Sequence, residues 1–384
     1  MTPDPMRFET SAIHAGQDPD PATGAAVVPI YQTSTYVQEA VAEHKGFEYS
    51  RTDNPTRRAL EVCLAALEQA EHGIAFASGM AAITTLALTC NAGDKIVIPD
   101  DVYGGTYRLF DKVFSGFGVR YAVADMTDRE AVEAACAGGA AMLVVESPTN
   151  PLLKILDISM LSEVAHEAGA LVVVDNTFAT PYLQLPLKLG ADAVVYSATK
   201  YLGGHSDLLM GTVATDDAAL AERLRFLQNA AGAVPGPFDS WLLLRGLKTL
   251  GLRMRAHSEN AAKVAGWLRT HDRVARVYWP GFEDFPGHDV AARQMAAAGG
   301  PLYGGMVSFE ALSEEEALRI CESTKLFFLG ESLGGVESLI EHPGKMTHAS
   351  LEGSGMEVSP ALIRLSVGIE HVDDLIADLD RALG

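Results

Sequence analysis

The hydrophobic pattern of the chain changes character near residue 50 and again near residue 246. Between these points, short and continuously apolar runs of strand length alternate with longer stretches of helical pattern. The strand-like runs read "GIAFAS", "KIVIPD", "AMLVVES", "LVVVDNT" and "DAVVYSA". Strands buried on both faces have such continuous apolar runs, and the helices between them connect parallel strands. The pattern therefore predicts an α/β fold with a mostly parallel sheet and helices on both of its faces.

Helix signals support this interpretation. The stretch "NPTRRALEVCLAALEQAE" begins with Asn54, which can cap a helix, and Pro55, which suits the first helical turn. The segments "GMAAITTLALTC", "REAVEAACA" and "ISMLSEVAHEAG" also have helical length and composition. We expect this alternating region, residues 51–245, to form the larger domain.

The two ends of the chain have different patterns. Residues 1–50 show little periodicity and several turn-forming residues, so they predict an extended N-terminal arm. From about residue 246 a long amphipathic helical pattern is followed by the strand candidates "ARVYWPG", "GMVSFEA" and "LIRLSVG" and by a last helix, "DDLIADLDRAL". This order predicts a smaller α+β domain over residues 246–384.

Composition and charge exclude several classes of protein. The 384 residues are 48% hydrophobic, which suits a globular core. Acidic residues outnumber basic ones by 50 to 29, and the resulting net charge of −21 disfavours nucleic-acid binding. No apolar run is long enough for a membrane span, and the N-terminal residues lack the pattern of a secretory signal. Four scattered cysteines without CxxC spacing predict reduced thiols in the cytoplasm and no metal site.

Polar residues follow three of the predicted strands at the point where each strand ends. Glu146 ends "MLVVE", Asp175 ends "LVVVD", and Ser197, Thr199 and Lys200 follow "AVVY". Ligands of parallel α/β sheets bind beyond the carboxyl ends of the strands. We therefore expect these side chains to share one site, although each one alone is compatible with an ordinary strand end.

The residue types in this predicted site match one cofactor. Ser78, Gly79 and Met80 precede a helix whose first-turn amides can bind a phosphate, although an ordinary tight turn is the better explanation of these three residues alone, because they do not form a P-loop. The buried carboxylate of Asp175 needs a cationic partner, such as a protonated pyridine nitrogen. Lys200 is either a surface lysine or an amine that bonds covalently to an aldehyde. Phosphate, pyridinium and aldehyde together describe pyridoxal 5′-phosphate.

Ordered motifs along nearly the whole chain carry a family resemblance. They read "YSRTDNPT", "FASGMAA", "DDVYGGTYR", "VESPTNP", "VDNTFATP", "SATKYLGGHSD" and "ESLGGVESLIEHP". With these motifs the chain resembles the Cys/Met-metabolism pyridoxal-phosphate enzymes, the transsulfuration group. The resemblance implies the fold type I architecture of the aspartate aminotransferase class. It also implies a homotetramer, built as a dimer of dimers, in which neighbouring subunits share their active sites.

The resemblance also implies a role for each residue of the site. Lys200 carries the cofactor and moves protons, Asp175 pairs with the pyridine nitrogen, and Tyr103 stacks on the ring. Four residues hold the phosphate of the cofactor in their own subunit: Gly79, Met80, Ser197 and Thr199. Tyr49 and Arg51 reach the phosphate in the neighbouring subunit. Arg364 binds the substrate carboxylate with help from Asn150 and Ser332, and the acids Glu48 and Glu331 face the far ammonium of cystathionine.

Several reactions remain open at the level of sequence. The motifs favour γ-elimination from L-cystathionine, as in the cystathionine γ-lyases of the family, over its γ-synthase alternative, in which cysteine replaces the acyl group of an O-acyl-L-homoserine. Methionine γ-lyase activity is disfavoured, because Gly105 stands where those enzymes usually have a cysteine. A non-catalytic cofactor-binding protein, a regulator and an aminotransferase are the alternatives from other classes.

Overall fold

Two β-sheets form the frame of the protein in a computed structural model that describes residues 6–347 and 358–384. Within these residues the larger sheet has seven strands in the order β1-β7-β6-β5-β4-β2-β3. The strands are β1 (His72–Phe76), β2 (Lys95–Pro99), β3 (Arg120–Ala124), β4 (Met142–Glu146), β5 (Leu171–Asp175), β6 (Ala193–Ser197) and β7 (Gly211–Thr215). Pairing is parallel from β3 to β6, whereas β7 is antiparallel to both of its neighbours. The prediction of a mostly parallel sheet is thus confirmed.

Helices accompany this sheet and cover its two faces. They are α1 (Phe8–His14), α2 (Pro55–Glu68), α3 (Gly79–Ala87), α4 (Gly104–Arg108), α5 (Arg129–Cys136), α6 (Ile158–Glu167), α7 (Thr180–Leu183) and α8 (Ala218–Ala231). Asn54 caps α2 as the sequence predicts, because its side chain accepts hydrogen bonds from the amides of Thr56 and Arg57. Apolar clusters fill the space on either side of the sheet, so the strands are buried on both faces.

The C-terminal part of the chain builds a second sheet of five strands, in the order β10-β11-β12-β9-β8, among the described residues. Its strands are β8 (Val274–Tyr278), β9 (Met306–Ala311), β10 (Phe328–Leu329), β11 (Leu339–Glu341) and β12 (Leu362–Ser366). The helices of this part are α9 (Pro237–Leu247), α10 (Leu250–Leu268), α11 (His288–Gln294), α12 (Glu314–Ser323) and α13 (Val372–Leu383). One face of the sheet packs against α10, α12 and α13 in a separate apolar cluster. The division of the chain at residue 245 stays a prediction.

The N-terminal arm differs from the prediction in one place. Residues 8–14 form α1, a short helix that contacts α2 and α10, whereas residues 15–50 contain only turns, bends and isolated bridges. Ser11 and Ala12 of this helix are buried, which explains its formation despite a weak helical pattern in the sequence. Across the described parts of the chain, no helix is long and apolar enough to cross a membrane.

Candidate active site

A cavity of about 370 Å³ lies beyond the carboxyl ends of β4, β5 and β6. This is the edge of the sheet at which parallel α/β folds bind ligands. Most of the residues predicted for the site line the cavity: Gly79, Met80, Tyr103, Asn150, Asp175, Ser197, Thr199, Lys200, Glu331, Ser332 and Arg364. Asp175, Ser197, Thr199 and Lys200 therefore meet in one place, as their positions at strand ends predict. The other residues of this set were expected only from the family resemblance.

The first turn of α3 forms one wall of this cavity. Ser78 caps the helix, and its hydroxyl accepts a hydrogen bond from the amide of Ala81 at 3.0 Å. A Cβ atom on Gly79 would lie 2.9 Å from the Cβ of Ser197, so only glycine lets the helix pack this close to the end of β6. The turn thus lies beside Ser197, and Thr199 lines the same cavity, where its hydroxyl donates a hydrogen bond to the carbonyl of Met210 at 3.3 Å. Amides, hydroxyls and the helix dipole together suit a phosphate group.

Two carboxyl groups lie side by side at the next strand ends. Glu146 and Asp175 are direct neighbours in the register of β4 and β5. Burial raises the pKa of Asp175, and burial together with the nearby charge of Asp175 raises the pKa of Glu146 well above its ordinary value. Asp175 accepts a hydrogen bond from the amide of Thr177 at 3.0 Å and has no ion pair among the described residues. A cationic ligand atom at this position would keep Asp175 ionised, and a pyridinium nitrogen fits that requirement.

Lys200 is partly buried in the middle of the cavity wall. Its Nζ donates a hydrogen bond to the Oγ of Ser332 at 2.6 Å. Burial is the main cause that lowers the pKa of this lysine to about 8, and the positive charge of Arg364 is the second cause. A sizeable fraction of the amine is therefore neutral near physiological pH. A neutral amine is the nucleophilic form that reacts with an aldehyde.

Arg253, which the sequence analysis did not identify, forms hydrogen bonds to the backbone of the turn that carries Lys200. This arginine is buried, and its guanidinium donates hydrogen bonds to the carbonyls of Tyr201 at 2.6 Å and Leu202 at 3.3 Å. In the sequence, Arg253 belongs to an ordinary helical pattern in α10. Only the packing of α10 against the lysine turn shows its role.

A second buried arginine, Arg364 in β12, lines the same cavity as Lys200. Its Nη1 donates to the Oδ1 of Asn150 at 2.8 Å, and its Nη2 donates to the carbonyl of Ser332 at 2.8 Å. Its Nη1 also forms an ion pair with Glu341 at 2.9 Å, a residue that the sequence analysis did not assign. Ser332 has a φ of 102°, a strained conformation for a residue with a side chain, and such strain is common at active sites.

Tyr103 and Glu331 lie at the mouth of the cavity. The amide of Tyr103 donates to Glu146 Oε2 at 3.1 Å, which fixes the start of α4. The ring of Tyr103 lies against the backbone of Gly105, and the residue is 36% exposed and lines the cavity, so its ring can contact a ligand there. Glu331 is exposed at the rim, where a carboxylate can meet a cationic group at the far end of a substrate.

Three predicted residues lie outside this cavity. Glu48, Tyr49 and Arg51 are on the exposed N-terminal arm, and Arg51 donates a hydrogen bond to the carbonyl of Asn229 at 2.7 Å. Tyr49 and Arg51 line a separate surface cleft of about 300 Å³. Within one chain these residues do not meet Lys200, so their predicted role depends on a second subunit and stays a prediction.

Comparisons with known proteins identify the family of this chain. The family model described as "Cys/Met metabolism PLP-dependent enzyme" matches residues 9–384. A cystathionine γ-synthase of Mycobacterium tuberculosis is 54% identical over 378 residues, covering 98% of this chain and 96% of the relative. A cystathionine γ-lyase of Bacillus subtilis is 50% identical over 381 residues, covering 98% and 99%. A cystathionine β-lyase of Coxiella burnetii is 51% identical over 382 residues, covering 98% and 97%.

Solved structures give the same result for the fold. The crystal structure of a cystathionine γ-synthase from Xanthomonas oryzae pv. oryzae, in complex with aminoacrylate and cysteine, has a TM-score of 0.95 and 41% identity. The match covers 99% of this chain and 98% of the other. The first turn of α3, the carboxylate of Asp175 and the amine of Lys200 suit the phosphate, the pyridine nitrogen and the aldehyde of one cofactor. The chain therefore belongs to the Cys/Met metabolism PLP-dependent enzymes, and its cofactor is pyridoxal 5′-phosphate.

Proposed function

We propose that this enzyme catalyses γ-replacement: cysteine displaces the carboxylate of an O-acyl-L-homoserine to give L-cystathionine. The observation that carries the proposal is the 54% identity to a protein named cystathionine γ-synthase over 98% of the chain. The structural relative that is described in complex with aminoacrylate and cysteine also supports it. The sequence alone favoured γ-elimination from cystathionine, and the similarities give more support to its γ-synthase alternative.

The residues of the cavity suit the first half of this reaction. Arg364 offers a planar fork of donors to the α-carboxylate of the amino acid, which fixes the position of its Cα. When bound, pyridoxal phosphate would stabilise negative charge that develops on the carbon atoms of the substrate. Lys200 is placed to take a proton from Cα, because its amine is partly neutral and is held by Ser332 at 2.6 Å. It would pass this proton to the bound cofactor and, neutral again, take a second proton from Cβ. Loss of both protons lets the γ-substituent leave.

The second half of the reaction depends on the rim of the cavity. Cysteine carries an ammonium group of its own, and Glu331 is the acid at the rim that can meet it. Glu48 is the second acid that we propose for this role, contributed by the N-terminal arm of another subunit. The thiol sulfur then forms a bond to Cγ and loses its proton, and Lys200 returns protons to Cβ and Cα.

Gamma-elimination is the second candidate, because it uses the same first half of the reaction. In that case water consumes the intermediate, and cystathionine gives cysteine, 2-oxobutanoate and ammonia. The 50% identical relative named cystathionine γ-lyase supports this candidate, and the relative named cystathionine β-lyase supports a third cleavage of the same compound.

Product analysis separates these functions. The purified enzyme is incubated with O-acetyl- or O-succinyl-L-homoserine plus cysteine, and separately with L-cystathionine alone. We expect cystathionine as the main product of the first mixture and only slow release of 2-oxobutanoate in the second. The matched variant Lys200→Ala should abolish both. Rapid formation of 2-oxobutanoate from cystathionine, without synthesis in the first mixture, would favour the γ-lyase.

We also propose a homotetramer in which each active site takes Tyr49 and Arg51 from a neighbouring subunit. The exposed arm and the separate cleft around these two residues support this assembly. Mixed dimers of Arg51→Ala and Lys200→Ala chains should regain activity, because one of their two sites then contains both residues. Verified hybrids without any recovery would argue against shared sites. Four free thiols suit the reducing cytoplasm, where we propose that the enzyme works.

A further inference from the structure

The ion pair between Glu341 and Arg364 is almost completely enclosed. Glu341 ends β11 and lies directly opposite Arg364 in the antiparallel register with β12. The Oε1 of Glu341 is 2.9 Å from the Nη1 of Arg364, and the two side chains are 1% and 2% exposed. A buried ion pair is costly to desolvate, and it is often no more stable than well-packed apolar residues. The pair therefore calls for an explanation other than stability.

The hydrogen bonds of Arg364 indicate what the pair does. A guanidinium has five N–H donors. Nη1 donates a hydrogen bond to Asn150 and lies 2.9 Å from the Oε1 of Glu341 in the ion pair, and one hydrogen of Nη2 is donated to the carbonyl of Ser332. The Nε of Arg364 is buried and has no hydrogen-bond partner among the described residues. The donors that remain are thus Nε–H and one hydrogen of Nη2, which is the number that a bidentate carboxylate requires.

Glu341 is itself held in place. The hydroxyl of Thr347 donates to its Oε1 at 2.8 Å, the same oxygen that meets Arg364. Burial raises the pKa of Glu341, whereas the positive charge of Arg364 opposes that rise. Glu341 also acts on Lys200, since it raises the pKa of the lysine that Arg364 lowers. One carboxylate thus orients the arginine and offsets part of its charge on the neighbouring amine.

We propose that Glu341 is a positioning residue for substrate binding: it holds the Nη1 side of the Arg364 guanidinium and so leaves Nε–H and one hydrogen of Nη2 for the substrate α-carboxylate. This inference rests on the proposed function, in which Arg364 binds that carboxylate. The proposed role depends more on the position of the Glu341 oxygen than on the charge of the carboxylate, and variants can separate these two properties.

Two variants separate position from charge. Glu341→Gln keeps an acceptor oxygen at the same distance and loses the charge. Glu341→Asp keeps the charge and withdraws the oxygen by about one carbon–carbon bond, roughly 1.5 Å. We expect KM for O-acyl-L-homoserine to rise by less than about 5-fold in the Gln variant and by about 10- to 100-fold in the Asp variant, with kcat changed far less.

The matched control is Asp378→Asn. Asp378 is a buried carboxylate of the C-terminal part of the chain, pairs with Arg381 and accepts hydrogen bonds from the amides of Lys325 and Leu326. It does not line the cavity. Asp378→Asn should lose thermal stability and keep the KM of the wild type. If Glu341 had only a structural role, the Glu341 variants would likewise lose stability and keep the KM of the wild type.

Inhibition by L-alanine and L-alaninamide provides a second readout that depends on the carboxylate. The wild type should prefer L-alanine, the Gln variant should keep most of that preference, and the Asp variant should lose it. A near-normal KM and preference in Glu341→Asp, with a large defect in Glu341→Gln, would overturn the positioning role. If the wild type lacks γ-replacement activity, the proposed function fails. The preference for L-alanine is then measured by the change in cofactor absorbance, and it still decides the role of Glu341.

Discussion

The substitution Gly105→Ala tests the proposed contact between Tyr103 and the cofactor. A Cβ atom on residue 105 would overlap with the Cε1 atom of Tyr103 and lie 3.0 Å from its Cδ1 and Cζ atoms. Carbon atoms in favourable contact are about 3.5–4.0 Å apart, so the ring must move by roughly 1 Å or swing away. Tyr103 is 36% exposed and has room to leave its position, so the protein should fold with the ring displaced.

The magnitude follows from the stacking that is lost. Offset stacking of aromatic rings contributes about 0.5–1.5 kcal/mol beyond the buried area. Displacement of the ring should therefore raise the Kd for pyridoxal phosphate by about 2- to 13-fold. The assay is a titration of the apoenzyme with pyridoxal phosphate, followed by absorbance and by the return of activity.

Two further variants serve as controls for this prediction. Gly116→Ala adds the same methyl group at a position where no atom lies within 4 Å, so it should leave the Kd unchanged. Tyr103→Phe keeps the ring and should change the Kd by less than about 2-fold. If Gly105→Ala binds the cofactor as tightly as the wild type, or if Gly116→Ala weakens binding equally, Tyr103 does not stack as proposed.

Three other predictions concern the lysine, its serine partner and the rim. In the apoenzyme, attachment of pyridoxal phosphate should accelerate as pH rises through about 8, because burial lowers the pKa of Lys200 from 10.5 to about 8 and only the neutral amine reacts. The rate is measured by pH-jump kinetics, and a midpoint near 10.5 would contradict this expectation. Ser332→Gly and Ser332→Ala should both lose turnover. In urea unfolding the Gly variant should be more stable than the Ala variant by about 1 kcal/mol, since Ala retains the strain of the 102° φ. Equal free energies of unfolding would argue against strain at this residue. Because Glu331 is exposed, Glu331→Ala should raise KM for cysteine by only about 2- to 5-fold and leave KM for O-acyl-L-homoserine unchanged. Equal increases of the two KM values in steady-state assays would exclude a contact between Glu331 and the ammonium group of cysteine.

The elements that the sequence predicted are those with a strong local pattern. The runs at Lys95–Pro99 and Leu171–Asp175 are continuously apolar because each strand is buried on both faces. The strand Arg120–Ala124 was not predicted, since it lies at the edge of the sheet and its side chains are partly exposed. Gly211–Thr215 was also missed, because its antiparallel position between β1 and β6 depends on pairing with distant strands.

The candidate site shows the same division between local and distant information. Asp175 and Lys200 could be predicted because both follow apolar strands, where a buried charged group needs a function. Glu341 and Arg253 could not, because their roles depend on a cross-strand register and on helix packing that no local pattern records. Tyr49 stays a prediction for a different reason: one chain does not contain the neighbouring subunit that it is expected to meet.

Deuterium incorporation tests the central claim, proton transfer by Lys200 during γ-replacement, most directly. The enzyme converts O-acyl-L-homoserine and cysteine in D₂O, and the cystathionine formed is analysed by NMR. Because Lys200 is expected to remove and return protons at two carbons, the homoserine-derived half should carry deuterium at both Cα and Cβ. Deuterium at Cα alone, or at neither carbon, would contradict the account, since the γ-substituent would then leave without proton removal at Cβ.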